Sequence, residues 1–473
     1  MAPTIYVAVL LLISAGLRLW GISEQSLWLD EATSLEVATR SIGDILGGSA
    51  FNNHTPPFYY LILHYWLYIF GATVSSLRLF STVFDVGNCF LVYLVFSRQF
   101  GQKIGRASGL VYALSPFAIY YAQEGRMYPL TVFLVLATYW FLLDALQKPL
   151  SPPKAGALVF VATLGMYTHY YYALTLFAFS VGLYFYNEKN SRSTAVWFLC
   201  VLNVGLLFLP WLREILEIAS GEGQVFRRFV WTVIPYAFFR FCAGYGVFPL
   251  TNEAKADMGR AVIEHIFLVA PFLVCFIPIL VVGLNRLYKE KKRELVILLS
   301  IITLVPLTAL AISLVTPMLS ERYLIVVYPF FCVVVAGFFV TEFRSKIFSS
   351  SKLIAGGLIL FSLYQHYFNP QAGFTEWDKA VDKAVNGEPQ LQEIAVNPGY
   401  CASVVKYYAP KNWRVVEVEQ VMQTRCDHDY WLLERQSSPS VGFLLSSKGC
   451  HLVEYAAFPK ESGLSLKLVS PIR

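Results

Sequence analysis

Two adjacent carboxylates, Asp30 and Glu31, lie in the stretch SLWLDEATS, just after a strongly apolar run. A carboxylate that is partly shielded from water has a raised pKa and becomes a better proton acceptor. The pair therefore predicts a general base close to a membrane surface. The plainer alternative is that the two acids mark the place where a membrane span meets water.

Arginines in two other short motifs are candidates for binding an anion. Glu124 and Arg126 lie in QEGRMY, and Arg322 precedes Tyr323 in SERY. The planar guanidinium group matches a phosphate through two parallel hydrogen bonds. The alternatives are an ordinary loop ion pair for Glu124 and Arg126 and, for Arg322, a side chain that extends from a helix end to the membrane surface.

Further ionisable residues lie within or beside apolar segments. Arg78 and Asp85 are seven residues apart, which places them two turns apart on one helix face. An ionisable residue inside a span is a functional hypothesis by default, although these two could also neutralise each other. His54 in HTPP and His169 in YTHYYY are either ligand contacts or hydrogen-bonded interfacial histidines. The two histidines could also bind a divalent metal together with Asp30 or Glu31. No HExxH-type spacing supports such a site, so a metal is left open.

The composition places these residues in a polytopic membrane protein. The 473 residues are 56% apolar and only 14% charged, whereas soluble domains have about 25% charged residues. Apolar runs of about 17–24 residues recur, the length that crosses about 30 Å of hydrocarbon. The net charge of +6 requires no nucleic acid, because the basic residues lie mostly in short loops. A P-loop, GxGxxG, GxSxG and CxxC are all absent from the sequence.

Basic loops predict the orientation of the spans. Under the positive-inside rule these loops are cytoplasmic, so the chain crosses an even number of times between neighbours. About eleven spans result, with the N-terminus inside. Two interrupted apolar segments, 54–71 and 229–249, predict interfacial or re-entrant helices within the outer loops 21–73 and 212–260. The basic loops are 98–106, 147–154, 187–192, 285–294 and 342–352.

This topology brings the acidic pair and the QEGRMY, YTHYYY and SERY motifs to one outer membrane face. Arginines there would stabilise a leaving phosphate, and a carboxylate would take the proton from an acceptor hydroxyl. The aromatic residues would stack on a sugar or line a groove for an isoprenoid tail. The set of residues therefore predicts group transfer from a lipid-held phosphate donor.

Residues 369–473 have the mixed charge and frequent turns of a small α/β domain outside the membrane. Helices are predicted at 375–387 and 402–409, and strands at 393–399 and 413–419. In an oxidising compartment one disulfide could form here, with the three pairings of Cys401, Cys426 and Cys450 open.

At these motifs the chain resembles the GT-C superfamily of membrane glycosyltransferases. Within it, the chain is most similar to the branch of protein O-mannosyltransferases, aminoarabinose transferases and their bacterial relatives. The resemblance covers about residues 4–368 and rests on LWLDEA, HTPPFYYLILHYW with RLFS after it, QEGRMYPL, THYYY and SERYLIVVYP. It implies an all-α GT-C-like membrane domain at 1–368, a polyprenyl-phosphate-linked sugar donor, inversion at the anomeric carbon and an extracytoplasmic active site.

The resemblance also implies roles for individual residues. Asp30 is the expected general base, and Glu31 is the second catalytic candidate. Many relatives have an acidic residue where Gln123 stands, so a role that needs two carboxylates at that turn is in doubt here. The expected donor-binding residues are Glu124, Arg126, Arg322, Tyr323, Arg78, His54, His169 and Tyr59.

The expected location is the plasma (inner) membrane, with the active site and the C-terminal domain extracytoplasmic. The expected partners are the lipid-linked donor, membrane lipids and a lipid, glycan or protein acceptor. A transporter or flippase of a lipid-linked anion is the main alternative, but it would place charges near the bilayer midplane and often show repeated halves. A further alternative is an O-antigen ligase-like or polymerase-like enzyme. Such an enzyme would need a long outer loop centred on His and Arg rather than an early acidic pair.

Overall fold

A computed structural model shows a mostly helical chain with one five-stranded sheet near its C-terminus. It describes residues 2–47, 55–186, 191–219, 232–248, 258–316, 318–343, 345–369, 375–423, 426, 428–435, 441–458 and 463–472. The described chain forms two compact units. The first consists of residues 1–20, 38–244 and 267–363, and the second of residues 21–37, 245–266 and 364–473. This division groups residues 21–37 and 245–266 with the C-terminal region, unlike the sequence-based boundary at 368.

The first unit is built from apolar helices. They are α1 (Pro3–Leu19), α3 (Ile42–Leu46), α4 (Phe58–Phe70), α5 (Val74–Phe100), α6 (Gln102–Ala113), α7 (Pro116–Ala122), α8 (Tyr128–Ala145), α9 (Pro152–Met166), α10 (Tyr171–Tyr186), α11 (Ser191–Phe208), α12 (Leu212–Ala219), α13 (Val233–Ala243), α15 (Ile266–Ser313), α16 (Tyr328–Val340) and most of α17 (Lys346–Phe368). A short 3₁₀ segment, Glu321–Val327, leads into α16.

Five helical segments in the described residues are long and apolar enough to cross a membrane, as a multi-pass membrane protein requires. The breaks predicted near QEGR and THYYY are present, between α7 and α8 and between α9 and α10. The exact total of eleven spans stays a prediction. The five segments are Val74–Phe100, Tyr128–Ala145, Arg192–Leu216, Ile266–Ser313 and Glu321–Val340.

The two apolar segments that were not expected to be spans form short helices. The helix α4 has 13 residues and α13 has 11. At 1.5 Å per residue these helices are about 20 Å and 17 Å long, shorter than the roughly 30 Å hydrocarbon core. Their lengths agree with helices that do not cross the bilayer, and an interfacial position for them stays a prediction.

The stretch 285–294, predicted as a basic turn between two spans, contains the break between two helices. The segment α15 consists of two helices that meet at a kink at Lys291, whose backbone angles are non-helical, with φ −153° and ψ 83°. Good helix formers such as Leu, Lys, Arg and Glu fill this stretch. Ion pairs along the helix, Arg286 with Glu290 and Lys291 with Glu294, support it further. The turn that the basic charges indicate is therefore a kink at one residue.

The second unit contains the α/β part that the C-terminal sequence predicted. Three parallel strands, β2, β1 and β3, continue into antiparallel β5 and β4, so the strand order is β2-β1-β3-β5-β4. Its elements are α2 (Leu29–Ala38), α14 (Met258–Glu264), α18 (Trp377–Gly387), β1 (Glu393–Asn397), α19 (Ala402–Tyr408), β2 (Arg414–Glu417), α20 (Val418–Val421), β3 (Tyr430–Arg435), α21 (Gly442–Ser447), β4 (Cys450–Phe458) and β5 (Leu464–Pro471). The described cysteines form no disulfide in this structure, so the disulfide considered for Cys401, Cys426 and Cys450 stays a prediction.

Candidate active site

The turn 123–127, which joins α7 to α8, is held against α5 by two side-chain hydrogen bonds. The hydroxyl of Thr82 donates to the carbonyl of Ala122 at 3.0 Å. The hydroxyl of Ser81 donates to the carbonyl of Arg126 at 3.1 Å. Both donors are buried, so these bonds hold the backbone of the turn at a defined position on α5.

Gly125 allows the turn to approach α5 this closely. An added Cβ would lie 2.2 Å from Cγ of Leu77, far inside van der Waals contact. Glu124 and Arg126 are buried on either side of it, with 2% and 9% of their surface exposed. Nη1 of Arg126 donates to the hydroxyl of Tyr60 at 3.5 Å. A guanidinium group that is already shielded from water attracts an anion more strongly than an exposed one.

A cluster of aromatic rings surrounds His169 in the turn between α9 and α10. The ring centroid of Tyr323 lies 5.0 Å from that of His169 and 5.2 Å from that of Tyr171. The ring of Tyr128 lies 6.0 Å from His169 and 6.4 Å from Tyr323. Cζ of Arg322 lies 5.6 Å from the centre of the Tyr323 ring. Edge and offset contacts of this kind hold the rings in a defined arrangement.

His169 experiences the charge of both arginines. Burial, and then the positive charges of Arg126 and Arg322, lower the pKa of His169 to about 3. The imidazole is therefore neutral at physiological pH. Its Nδ1 accepts the backbone N–H of Tyr171 at 3.1 Å, which assigns the ring proton to Nε2. His169 thus offers a neutral hydrogen-bond donor in a positively charged environment.

This group of side chains, which we call the cationic corner, consists of Arg126, His169, Arg322, Tyr323 and Tyr128. It combines two guanidinium groups with aromatic faces, the chemistry that suits a phosphate attached to a sugar or a lipid. In the described parts of the chain, no three His, Cys, Asp or Glu side chains converge as a metal site.

Gln123 has a defined structural task next to the cationic corner. Its Nε2 donates to the carbonyl of Arg18 at 3.1 Å and to the carbonyl of Trp20 at 2.7 Å. These carbonyls belong to the end of α1, where backbone acceptors have no partner within the helix. Both partners only accept, so this position requires an N–H donor. A carboxylate could not make these two bonds.

Gln123→Glu is expected to lower the free energy of unfolding by about 1–3 kcal/mol, because a carboxylate would face two carbonyl oxygens. Denaturant titration of the detergent-solubilised protein measures this change. Gln147→Glu is the matched control, since Gln147 is exposed after α8. Equal stability of the two variants would contradict the assigned role of the amide.

Asp30 and Glu31 lie in the second unit, in the first turn of α2. Glu31 is fully buried, and its Oε2 accepts the backbone N–H of Trp28 at 3.0 Å. An acid at the third helical position commonly bonds the N–H of the residue before the helix in this way. Glu31 therefore stabilises the start of α2, and a catalytic role for it stays a prediction. The side chain of Asp30 is half-exposed.

The remaining predicted donor-binding residues differ in their surroundings. Tyr59 is fully buried, with its ring 5.2 Å from that of Tyr60, and it is Tyr60 that Arg126 contacts. Arg78 is also buried, in α5. His54 lies outside the described residues. Tyr60 lies in the same quoted motif but could not be singled out from the sequence, because the face that a short helix presents to a neighbour depends on packing.

The pairing considered for Arg78 and Asp85 is wrong. Oδ2 of Asp85 accepts Nε of Arg18 at 2.6 Å, and Oδ1 accepts the hydroxyl of Tyr112 at 2.6 Å. Asn88 adds a longer contact at 3.4 Å. Arg18 comes from α1, and a residue 67 positions away could not be identified as the partner from helical spacing.

An apolar cavity lies among helices of the first unit. Its wall includes the aromatic residues Phe241, Phe272, Phe276, Tyr328 and Phe331, contributed by α13, α15 and α16. Ligand sites of proteins are largely apolar with a few polar groups. This cavity has the character needed for a hydrocarbon segment.

Comparison with known proteins identifies a similar family and a similar fold. Residues 54–213, about a third of the chain, match the family model for dolichyl-phosphate-mannose-protein mannosyltransferases. The structure is similar to that of ArnT from Cupriavidus metallidurans in the apo state, with a TM-score of 0.62 and 11% identity over 99% of this chain and 98% of ArnT. The chain therefore has an ArnT-like fold.

Two further solved structures are similar to this chain. ArnT from Cupriavidus metallidurans bound to undecaprenyl phosphate has a TM-score of 0.58 and 12% identity over 99% of this chain and 98% of ArnT. The archaeal oligosaccharyltransferase AglB from Archaeoglobus fulgidus, in complex with an inhibitory peptide and a dolichol-phosphate, has a TM-score of 0.57 and 11% identity over 94% of this chain and 70% of AglB. No curated protein sequence matches the chain.

Proposed function

We propose that this protein is a membrane glycosyltransferase that moves a sugar from a polyprenyl-phosphate-linked donor to a hydroxyl group of a lipid, glycan or protein, with inversion at the anomeric carbon. The observation that carries the proposal is the cationic corner. There the positive charges of Arg126 and Arg322 lie close to the buried, neutral ring of His169, which packs against Tyr323. Such a site suits an anion whose charge grows as a bond breaks, because its donors are already oriented and shielded from water.

The proposed chemistry is a single displacement. The acceptor oxygen bonds to the anomeric carbon while the bond from that carbon to the phosphate oxygen breaks on the opposite face. The electron pair of the broken bond stays on the phosphate, where Arg126 and Arg322 balance the added charge. The acceptor hydroxyl gives its proton to the carboxylate of Asp30, which acts as general base. Attack opposite the leaving group inverts the anomeric centre.

The lipid part of the donor is supported by two observations. Undecaprenyl phosphate is bound by ArnT and a dolichol-phosphate by AglB, and both of these proteins have the fold seen here. The present chain also has the aromatic-lined apolar cavity in its first unit, which we propose holds part of an isoprenoid tail. Aromatic side chains bury large apolar areas against such a ligand.

We further propose that the protein lies in the inner membrane with its N-terminus in the cytoplasm. The donor-binding motifs and the C-terminal domain would then be extracytoplasmic. The support is the distribution of basic residues among the short loops. An extracytoplasmic location fits a donor that is carried across the membrane on a lipid and consumed on the outer side.

Arg126→Ala is expected to weaken the binding of undecaprenyl phosphate about 10- to 100-fold, because a buried charge-assisted contact to phosphate is lost. Arg126→Lys should recover only part of the affinity, since lysine lacks the planar donor pair. Equilibrium binding to the protein in nanodiscs measures the effect. Arg192→Ala is the control, because Arg192 is exposed at the start of α11.

The same preparations test the reaction itself. Undecaprenyl phosphate carrying labelled mannose, glucose or aminoarabinose is supplied together with native membranes as the source of acceptor. Label that leaves the polyprenyl phosphate and appears on an acceptor supports transfer, with loss of transfer in Arg126→Ala. Movement of the intact donor across the bilayer without cleavage would instead indicate a transporter, and unchanged phosphate binding in Arg126→Ala would remove that residue from the donor site.

A further inference from the structure

The segment just before α2 is held by the α/β part of the second unit through side-chain hydrogen bonds. The hydroxyl oxygen of Tyr408 accepts the backbone N–H of Leu27 at 2.6 Å. The hydroxyl of Ser26 donates to the same Tyr408 oxygen at 3.4 Å. Tyr408 is the last residue of α19. A residue about 380 positions away along the chain therefore fixes the backbone three residues before Asp30.

Ser26 makes a second connection, to the start of α18. Its hydroxyl oxygen accepts the backbone N–H of Asp378 at 3.2 Å. Asp378 lies in the first turn of α18, where N–H groups lack partners within the helix. The hydroxyl therefore caps the N-terminus of α18, as an N-cap side chain does. Two helices of the α/β part hold consecutive residues of the outer loop.

These contacts are buried and they complete the start of α2. Leu27 is fully buried and Ser26 is 7% exposed. Water therefore cannot take the place of either hydrogen bond if it is lost. The next N–H along the chain, that of Trp28, is bonded by Glu31. The hydroxyl of Ser26 and the backbone N–H groups of Leu27 and Trp28 therefore all have hydrogen-bond partners. The backbone that carries Asp30 in the first turn of α2 has little freedom left.

We propose that Tyr408 is a positioning residue for the general base, and that the C-terminal α/β part thereby belongs to the catalytic machinery. The inference rests on the proposed function, in which Asp30 accepts the proton. Tyr408 touches neither donor nor acceptor in this scheme. It acts by holding Leu27, and through Leu27 the first turn of α2, in one position. A misplaced base loses rate even when the donor still binds.

Tyr408→Phe removes the hydroxyl and keeps the ring. The matched control is Tyr407→Phe, because Tyr407 is the adjacent residue of the same helix and is 40% exposed. Amide hydrogen exchange of residues 26–31 in the full-length protein reports the contact without reference to activity. Tyr408→Phe is expected to speed exchange at Leu27 about tenfold, as for the loss of one buried hydrogen bond. Ser26→Ala is the second variant and should act in the same direction.

Transfer kinetics then separate positioning from a purely structural role. With the undecaprenyl-phosphate sugar that the wild type uses, Tyr408→Phe is expected to lower kcat about tenfold at unchanged donor KM, measured per folded enzyme. Faster exchange with unchanged kcat, or unchanged exchange at Leu27, would overturn the inference and leave the proposed function standing. Full activity of Asp30→Asn would instead overturn the proposed role of the base, and this inference with it.

Discussion

Asp30→Asn is expected to lower the rate of sugar transfer about 10²- to 10⁴-fold, the usual contribution of a positioned general base. The amide has nearly the size of the carboxylate, but it cannot take the proton of the acceptor hydroxyl. Asp30 is half-exposed in the first turn of α2, whereas its neighbour Glu31 is buried and bonded to the backbone of Trp28. The loss should therefore fall on kcat, with donor affinity and folding nearly unchanged.

Initial rates with the labelled undecaprenyl-phosphate sugar, measured beside undecaprenyl phosphate binding, test this expectation. Glu24→Gln is the matched control, because Glu24 is an exposed carboxylate of the same outer loop. It should keep wild-type rates. A rate for Asp30→Asn within a few-fold of that control would show that another group takes the proton, and Glu31→Gln would then be the next variant to measure.

Asp85→Ala is expected to lower the free energy of unfolding by about 3–5 kcal/mol, because it leaves a buried guanidinium without its counter-charge. Arg18 is fully buried, and its Nε lies 2.6 Å from the carboxylate of Asp85. Among the described residues, the other nitrogens of Arg18 donate to backbone carbonyls, those of Ala113 at 3.1 Å, Ser14 at 3.3 Å and Tyr112 at 3.4 Å. These dipoles cannot replace a full negative charge.

The double variant Arg18→Met with Asp85→Leu should recover most of that loss, since a buried ion pair can often be replaced by apolar side chains of similar volume. Denaturant titration in mixed micelles measures all of these variants. Glu264→Gln is the control for charge removal, because the pair of Arg260 with Glu264 is largely exposed, where such pairs contribute little. A double variant as unstable as Asp85→Ala would argue against unpaired charge as the cause.

The fold follows from sequence wherever a local pattern decides it. The helices predicted at 375–387 and 402–409 appear as α18 and α19, and the strands at 393–399 and 413–419 as β1 and β2. The turns at QEGR and THYYY are where aromatic and charged residues interrupt apolar runs. The basic stretch 285–294 was predicted as a turn between two spans, and two helices meet there at a kink at Lys291. The turn is short because the residues on both sides of it favour a helix.

The candidate site could be predicted in its residue types but not in its contacts. Arg126, His169, Arg322 and Tyr323 were all selected from short motifs, and the structure gathers them into one corner. The contact of Arg126 with Tyr60 was not predicted. A motif shows which chemistry is available, whereas the side chain that fills the space beside it depends on how the helices pack.

The sequence by itself determined that this is a polytopic membrane protein, where the apolar helices lie and which motifs are candidates to bind anions or accept protons. These follow from composition and from local periodicity, which act over a few residues along the chain. Only the tertiary structure decided that Arg18 and not Arg78 holds Asp85, that Gln123 caps the end of α1, and that Tyr408 bonds Leu27. Such pairs join residues far apart in sequence, and only packing selects one partner among many that are chemically equivalent.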